Sequence, residues 1–422
     1  MGDANTIKIR EVTEKIKKKA LSNPNSQPSV LIQEELRPII NSDVLIGITE
    51  KTSLLRKVNR IQNSSRPCIP ELCSQCIILP PYDKTYLGED FLRYDSGVND
   101  PDRILIFYSD NGLRSLVRSA QIFADGTFDT VPNIFFQLYT IHGQIFDYTF
   151  PLVYVLCLRK SKVTYKKIYD HIVNAALFIG LIFNPEMIMM DFESAAINAV
   201  LECLPTSIVK GCLFHFNQSL WRRIQESGLS TLYVNSENQM FKDSVLRFMA
   251  LPFIPEEDLL DIFKDLVKTS SNILEGFVSY LGKNYIGIHL NGDIWNVCTP
   301  RFGIHTWNTY NSVLSGLRRT NNVVEGWHSR FQKVVVSKHA TIWRFLDFIK
   351  NDERDNDVLI TQLNGGHRKI RHPVKNQYIV NNKNIELLVR SYDEYKRNNQ
   401  INDYLLNIGK MLKSNFASGP KK

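Results

Sequence analysis

Residues 120–158 read AQIFADGTFDTVPNIFFQLYTIHGQIFDYTFPLVYVLCL. Three runs in this stretch are rich in apolar, β-branched and aromatic residues, and they predict consecutive strands at 120–124, 134–141 and 148–158. Runs of this length and composition are typical of a sheet that is buried on both faces. The stretch therefore predicts the beginning of a large sheet.

Helical and strand patterns alternate downstream of this stretch. The patterns predict a helix at 163–179, a strand at 187–190, a helix at 193–203 and a strand at 208–213. Three consecutive strands followed by alternating helix and strand are typical of an α/β fold, in which a mixed sheet carries helices on both faces.

The chain divides into six parts by composition and pattern. Two long helices are predicted near its end, at 321–336 and 341–363, and residues 418–422 are predicted to be disordered. The parts are a basic helical N-terminal region (1–63), an irregular Pro-rich connector (64–100), the first part of the sheet core (101–215), an all-helical segment (216–318), the C-terminal core helices (319–366) and a basic polar tail (367–422).

The N-terminal region is predicted to form three short helices at 7–22, 29–40 and 50–62, each with basic residues on one side. Such a face can grip DNA, but a basic run is more often simply solvated. Both interpretations stay open, with the solvated face the commoner outcome.

Composition restricts the class of protein. The chain has 422 residues, is 43% hydrophobic and carries a net charge of +8, which suits a large core and a polyanionic partner such as DNA. We expect a soluble intracellular protein, because the sequence shows no apolar run of membrane-spanning length and no signal-peptide pattern. The seven scattered cysteines are interpreted as reduced thiols.

A zinc site is not favoured in the connector. Cys73 and Cys76 form a Cys-x-x-Cys pair, but a closed zinc site needs four ligands and the first histidine of the chain is His142.

Acidic residues stand at the ends of two predicted strands. Asp125 follows the first strand and Asp191 follows the fourth. Active sites of α/β sheets gather where strand ends open into a crevice, so we expect these carboxylates to lie together. Two neighbouring carboxylates repel each other unless a cation lies between them, which predicts a divalent metal site.

The third ligand is assigned to Glu325, which begins a long helix that can lie against the sheet. Two metal ions held by such carboxylates activate an attacking oxygen and stabilise the leaving oxygen of a phosphodiester. Asp129 and Glu193 lie close by in sequence but end no strand, so we interpret them as supporting or solvated.

Six motifs occur in order along the chain: DGTF at 125–128, FQLYTIHG at 136–143, PLVY at 151–154, DFE at 191–193, GCLFH at 211–215 and RTNNVVEGWH at 319–328. Together they resemble the Mutator-like element (MULE) transposase domain. The resemblance extends over roughly residues 85–350 and its motifs are specific.

The resemblance implies an RNase H-like mixed sheet with an Asp-Asp-Glu triad, interrupted by a helical insertion before the glutamate. Asp125, Asp191 and Glu325 match that triad residue by residue. The implied activity is metal-dependent DNA cleavage and strand transfer with Mg²⁺ or Mn²⁺. The implied partners are double-stranded DNA and transposon terminal inverted repeats, in the nucleus, with a homo-oligomer left open.

Further candidates surround the triad. The resemblance places Cys212 and His215 on a Cys-x-x-His pair, which we interpret as shaping the site wall, contacting DNA or packing in the core. Two such ligands do not make a zinc site unless others join them, for example Cys298 and His305. The remaining accessory or DNA-contacting candidates are Arg319, Asn321, Asn322, Trp327 and His328, with core anchoring the favoured role of the tryptophan.

Two other functions stay open. Family members often begin with a FLYWCH zinc finger, and residues 1–100 carry no such Cys/His array. That departure favours a domesticated DNA- or chromatin-binding protein that does not cut, whereas the triad favours the enzyme. An RNase H-like nuclease acting on RNA or repair intermediates fits the triad but not the long insertion or the Arg-Thr-Asn-Asn motif.

Overall fold

A computed structural model of the chain describes residues 4–412, apart from 24–25, 27, 41, 65, 236, 292–293, 336–339, 368–369 and 371–375. The expectation for residues 418–422 lies outside the described residues. No helix in the described part of the chain combines the length and apolarity that a membrane span requires.

The main sheet has seven strands. They are β1 (Leu92–Asp95), β2 (Ile104–Phe107), β3 (Gln121–Thr127), β4 (Gln137–Ile145), β5 (Tyr148–Cys157), β6 (Met187–Met190) and β7 (Ile208–Gly211). Their order across the sheet is β1-β2-β5-β4-β3-β6-β7. Across the sheet, each pair of neighbours from β1 through β2, β5 and β4 to β3 is antiparallel. Strand β6 is parallel to β3, and β7 is parallel to β6. The predicted mixed α/β sheet is confirmed.

The helices are numbered in chain order. They are α1 (Ala4–Ser22), α2 (Pro28–Leu36), α3 (Ser42–Gly47), α4 (Lys51–Ser64), α5 (Asp110–Val117), α6 (Lys162–Phe178), α7 (Ser194–Cys203), α8 (Leu213–Glu226), α9 (Ser230–Val234), α10 (Gln239–Met249), α11 (Glu256–Thr269), α12 (Glu275–Leu281), α13 (Ile304–Trp307), α14 (Tyr310–Leu314), α15 (Asn322–Val335), α16 (Ile342–Asn364), α17 (Asn376–Arg390), α18 (Tyr392–Arg397) and α19 (Ile401–Leu412).

Helices cover both faces of the sheet, as the alternation along β2 illustrates. Ile104 and Ile106 belong to a core cluster with residues of α5, α6 and α7, whereas Leu105 and Phe107 belong to a second cluster with residues of α15 and α16. Successive strand residues point to opposite faces, so a strand buried on both faces is apolar throughout. This burial explains the continuous apolar runs of the sequence.

Two strands precede the first one that the sequence predicts. The connector prediction is wrong near its end, because β1 lies within it and pairs with β2. Both strands are only four residues long, too short for a periodic pattern to stand out. The rest of the connector is held by Arg103, which donates hydrogen bonds to the carbonyl oxygens of Cys73 (2.6 Å) and Cys76 (2.8 Å).

The segment between β7 and α15 is not entirely helical, which corrects the prediction of an all-helical segment. Besides α8 to α14, it contains a separate two-stranded sheet of β8 (Ile288–Asn291) and β9 (Ile294–Val297). An Asn-Gly dipeptide at 291–292, between two short alternating runs, is a hairpin signal in the sequence. The hairpin does not pair with the main sheet.

The C-terminal part, which its composition marks as a basic polar tail, is folded into helices over the described residues. Tyr404, Leu405 and Ile408 of α19 are fully buried, and the Tyr404 hydroxyl donates to the carbonyl oxygen of Phe253 at 2.7 Å. These apolar residues recur at helical spacing within a segment whose average composition is polar. Composition alone therefore concealed an amphipathic helix.

The four N-terminal helices bury their apolar sides against one another, through residues such as Ile16, Ile32 and Val58. The sequence predicted α1, α2 and α4 but not the short α3. Lys19, in the basic run of α1, forms ion pairs with Glu34 (2.9 Å) and Glu35 (2.8 Å), so part of that basic side is neutralised.

Candidate active site

The strand register places three candidate residues side by side. Ala124 pairs with Met190, and Met190 pairs with Gly211, across the parallel strands β3, β6 and β7. The next residue on each strand is Asp125, Asp191 and Cys212. Parallel strands in this register bring their carboxyl ends to one edge of the sheet. The expected neighbourhood of the two aspartates follows directly from this pairing.

Asp125 lies within β3 rather than after it, because the strand continues to Thr127. Its carboxyl group is buried, with 6% of the residue exposed. A Cβ at the following Gly126 would lie 1.8 Å from Nε2 of the buried Gln137, so a side chain there would displace the Gln137 amide. The DGTF motif thus combines a supported carboxylate with a close approach of the backbone to Gln137.

Helix α15 brings Glu325 to the same edge. Val324 packs with Phe123 and Met189 in a small buried cluster. Phe123 and Met189 each lie two residues before an aspartate, so they share a sheet face with Asp125 and Asp191. The packing of Val324 on that face therefore carries Glu325 toward both aspartates.

His215 lies between two of the acidic side chains. Its Nδ1 is 2.6 Å from Oδ1 of Asp191, and its Nε2 is 3.5 Å from Oε1 of Glu325. Both are close charge contacts without the angle of a hydrogen bond. His328, one turn after Glu325, places its Nε2 3.4 Å from Oδ2 of Asp125. Each of the three predicted acids thus contacts a histidine: Asp191 and Glu325 contact His215, and Asp125 contacts His328.

The pKa values of two carboxyl groups in this site, Asp191 and Glu325, lie above their ordinary values. Burial raises the pKa of Asp191, and the charge of Asp125 adds to that rise, while His215 opposes it. Burial also raises the pKa of Glu325, with further contributions from both aspartates. For His215, burial lowers the pKa, but the contacts with Asp191 and Cys212 outweigh it and raise the pKa to about 11. The imidazolium balances part of the acidic charge.

The donor set fits a divalent cation. Oxygen ligands from several carboxylates are what Mg²⁺ and Mn²⁺ prefer. Oε1 of Glu325 and both ring nitrogens of His328 are buried and have no hydrogen-bond partner among the described residues. A cation among Asp125, Asp191 and Glu325 would satisfy that oxygen and offset both the burial of these carboxylates and the repulsion between them.

A second donor group overlaps the first. One ligand atom each of Cys212, His215 and Glu325 lies within 4.8 Å of the others. Among the residues that the structure describes, this group includes neither Cys298 nor His305, the further zinc ligands that the sequence suggested. The third member is instead the glutamate of the triad.

Asn321 connects Cys212 to Asp191. The Cys212 thiol donates to Oδ1 of Asn321 at 3.2 Å, and Nδ2 of Asn321 donates to Oδ1 of Asp191 at 3.4 Å. Asn321 is fully buried. Of its two predicted roles, supporting the site agrees with this position, whereas contact with a DNA backbone does not.

The other accessory candidates lie at varying distances from the carboxylates. The Arg319 guanidinium lies over the Phe253 ring, 5.6 Å from its centroid, so it is directed toward the helical segment. Asn322 is exposed at the start of α15. Trp327 is 4% exposed and donates from Nε1 to Asp352 at 3.0 Å, which agrees with its favoured anchoring role.

A cleft of about 420 Å³ opens from the carboxylates. Its lining includes basic residues that the sequence analysis did not single out, namely Lys160, Arg222 and Arg301. His215, Ser219 and Arg222 all line it and follow one another at the spacing of one helix face, a signal that could have identified the arginine.

Glu193, interpreted from sequence as supporting or solvated, also lines the cleft. It accepts a hydrogen bond from the Tyr165 hydroxyl at 3.1 Å, and burial raises its pKa. The structure therefore favours the supporting role.

Comparison with known proteins agrees with this arrangement. No curated protein matches the chain. Residues 121–219, from the start of β3 through the first half of α8, match the family model described as the MULE transposase domain. This range contains Asp125, Asp191 and the Cys212–His215 pair. Residues 121–219 of this chain therefore form a MULE transposase domain.

Proposed function

We propose that this protein is a MULE-type transposase that cuts and joins DNA at transposon ends, with Asp125, Asp191 and Glu325 as its catalytic metal ligands. One observation carries the proposal. Acids from two parallel strands and a distant helix meet at one edge of the sheet, around shared histidines. Acidic residues that are simply solvated at the surface are not expected to cluster in this way, because their charges repel one another.

The sheet supports an RNase H-like assignment within this proposal. Strands β5, β4 and β3 form an antiparallel meander, and β6 and β7 continue it in parallel on the other side of β3. The first aspartate lies on β3, where the antiparallel and parallel parts of the sheet meet, and the second follows the parallel neighbour β6. This arrangement resembles the RNase H-like fold that the family implies, with the segment from α8 to α14 as the insertion.

The cleft residues have separate roles in the proposed reaction. Bound Mg²⁺ or Mn²⁺ would activate the attacking oxygen and stabilise the leaving oxygen. Lys160, Arg222 and Arg301 supply positive charge along the cleft wall, where phosphate oxygens of DNA are to be held. His215 balances the charge of Asp191 and Glu325, and Asn321 orients Asp191.

The partners follow from this chemistry. We propose double-stranded DNA bearing terminal inverted repeats as the substrate, Mg²⁺ or Mn²⁺ as the cofactor, and the nucleus as the compartment. Two cuts at two element ends would suit a homo-oligomer. The net charge of +8 agrees with an anionic partner.

Nicking of a labelled duplex tests the proposal. Wild type should nick in Mg²⁺ or Mn²⁺ and be inert in chelator, whereas Asp191→Asn should bind DNA as well as wild type and not nick. Asp129→Asn is the matched control, because Asp129 is exposed although it lies close to Asp125 in sequence. All proteins are compared at the same salt concentration, since salt sets nonspecific affinity.

A second function, DNA or chromatin binding without cutting, is favoured by one contact. The His215 cation already lies against Asp191 and Glu325, where it balances charge without a metal. Metal-independent binding of the flanking repeats, with no nicking by wild type, would establish that function instead. Equal nicking by wild type and Asp191→Asn would remove Asp191 from the mechanism.

A further inference from the structure

Two phenylalanine rings are exposed beside the carboxylates. Phe128 is 43% exposed and Phe136 is 47% exposed, whereas Phe123 and Phe150 of the same sheet are fully buried. The two exposed rings contact each other edge to face, with centroids 5.2 Å apart. Neither ring belongs to a hydrophobic core cluster. Folding of the core therefore does not explain their position.

The fold holds both rings at the catalytic edge. Phe128 directly follows β3 and Phe136 directly precedes β4, and these strands pair up to Thr127 and Leu138. Phe128 lines the same cleft as Asp125 and Asp191. The loop between these two paired strands thus places Phe128 at the cleft, with Phe136 packed against its ring.

The charges around the pair suit an anionic ligand. Lys160 places its Nζ 5.4 Å from the centroid of the Phe128 ring. Among the described residues, Lys160 and the cleft residues Arg222 and Arg301 have no carboxylate within ion-pair distance. Aromatic faces beside cations that form no ion pair match the two parts of a nucleotide, a planar base and a phosphate.

We propose that Phe128 and Phe136 form a stacking platform for one unpaired base of the DNA strand, next to the bond that is cut. The inference rests on the proposed function, since it takes DNA as the occupant of the cleft. A base inside a duplex has both faces covered by its neighbours, so the platform accepts only a base that has left the stack. Lys160 then pairs with a phosphate of the same nucleotide.

The test compares two otherwise identical duplexes, one fully paired and one with a single bulged 2-aminopurine. Affinity and 2-aminopurine fluorescence are measured at one salt concentration in Ca²⁺, without cleavage. Wild type should prefer the bulged duplex and quench its fluorescence, because stacking quenches this base. Phe128→Ala and Phe136→Ala should each bind the bulged duplex roughly tenfold more weakly and bind the paired duplex as wild type does.

Two further variants separate stacking from simple apolar contact. Phe128→Trp should keep the preference and the quenching, whereas Phe128→Leu, which is apolar but has no aromatic face, should lose both. Phe178→Ala is the control, because Phe178 is 92% exposed at the end of α6 and does not line the cleft.

Three outcomes would overturn the inference: wild type without a preference for the bulged duplex, a preference that persists in both alanine variants, or a change of oligomeric state in those variants with unchanged quenching. The last would assign the rings to a contact between protein copies. Loss of nicking activity with the preference intact would contradict only the proposed cleavage. Asp191-dependent nicking without any preference would contradict only the platform.

Discussion

Asn321 illustrates how one buried side chain can set the geometry of a carboxylate. Its amide accepts from the Cys212 thiol and donates to Asp191, and its backbone N–H lies 3.4 Å from the Cys212 sulfur as a further donor. Asp191 itself directly follows a strand, and the other close polar contact of its carboxylate described above is with His215. The Asn321 amide therefore limits the rotation of this carboxylate, and a metal site depends on such orientation.

Replacement of Asn321 by alanine should lower the nicking rate roughly tenfold, the value of about one hydrogen bond to a charged group. Binding of DNA should not change, because Asn321 is fully buried and does not face the cleft. The rate at saturating Mn²⁺ and the Mn²⁺ concentration that gives half of it are to be measured.

Asn322→Ala serves as the control, since this neighbour is exposed. An unchanged rate and metal requirement in Asn321→Ala would show that Asp191 is held without it.

At the scale of elements, close packing attaches the C-terminal helices to the rest of the chain. Helix α19 packs against α10 at Gly409, where a Cβ would lie 2.5 Å from the carbonyl oxygen of Leu246. The Leu246 oxygen is part of a helix backbone and cannot move as a side-chain tip can. The two helices therefore approach closely only because position 409 has no side chain.

Gly409→Ala should consequently lower the free energy of unfolding by about 1–3 kcal/mol, the usual cost of overpacking, despite the better helix propensity of alanine. Urea unfolding followed by circular dichroism measures this change.

Lys410→Ala, at an exposed position of the same helix, should leave stability nearly unchanged. A Gly409→Ala protein as stable as Lys410→Ala would show that α19 is not packed on α10 in solution.

At the scale of the whole molecule, the site joins parts of the chain that fold around different cores. Asp125 and Asp191 are supported by the sheet, Glu325 by α15, and the cleft wall by α8 and the segment that follows it. The burial of like charges at their junction opposes folding, as the raised pKa values of Asp191 and Glu325 indicate. A cation that binds there should stabilise the entire fold.

We expect Mn²⁺ to raise the melting temperature of wild type. A ligand that binds only the folded state adds about 2.7 kcal/mol to the free energy of unfolding when its concentration is a hundred times its Kd. Asp125→Asn should melt higher than wild type in chelator, and both Asp125→Asn and Asp191→Asn should gain less from Mn²⁺. Differential scanning calorimetry provides the measurement.

The exposed Asp129→Asn should respond to Mn²⁺ as wild type does. An equal gain in all four proteins would place the stabilising cation elsewhere in the molecule.

The sequence by itself determined the elements that have a strong local pattern. Three features were predictable: the strand at 187–190, helices α6 and α7, and the two acidic residues at the carboxyl ends of strands. Burial and backbone preference act on each short segment independently, so each of these segments carries its own pattern in the sequence. Elements with a weak local pattern were missed, because a prediction from sequence depends on such a pattern. The strands β1, β2, β8 and β9 have only four residues each, and α19 is amphipathic within a polar stretch.

Only the tertiary structure decided how the site is assembled. The alignment of Asp125, Asp191 and Cys212 depends on strand register, and the approach of Glu325 depends on the packing of Val324. The roles of His215 and Asn321 depend on contacts between residues far apart in the chain. No local pattern encodes such contacts, because their energies arise when separate elements exclude water between them and bring unlike charges together.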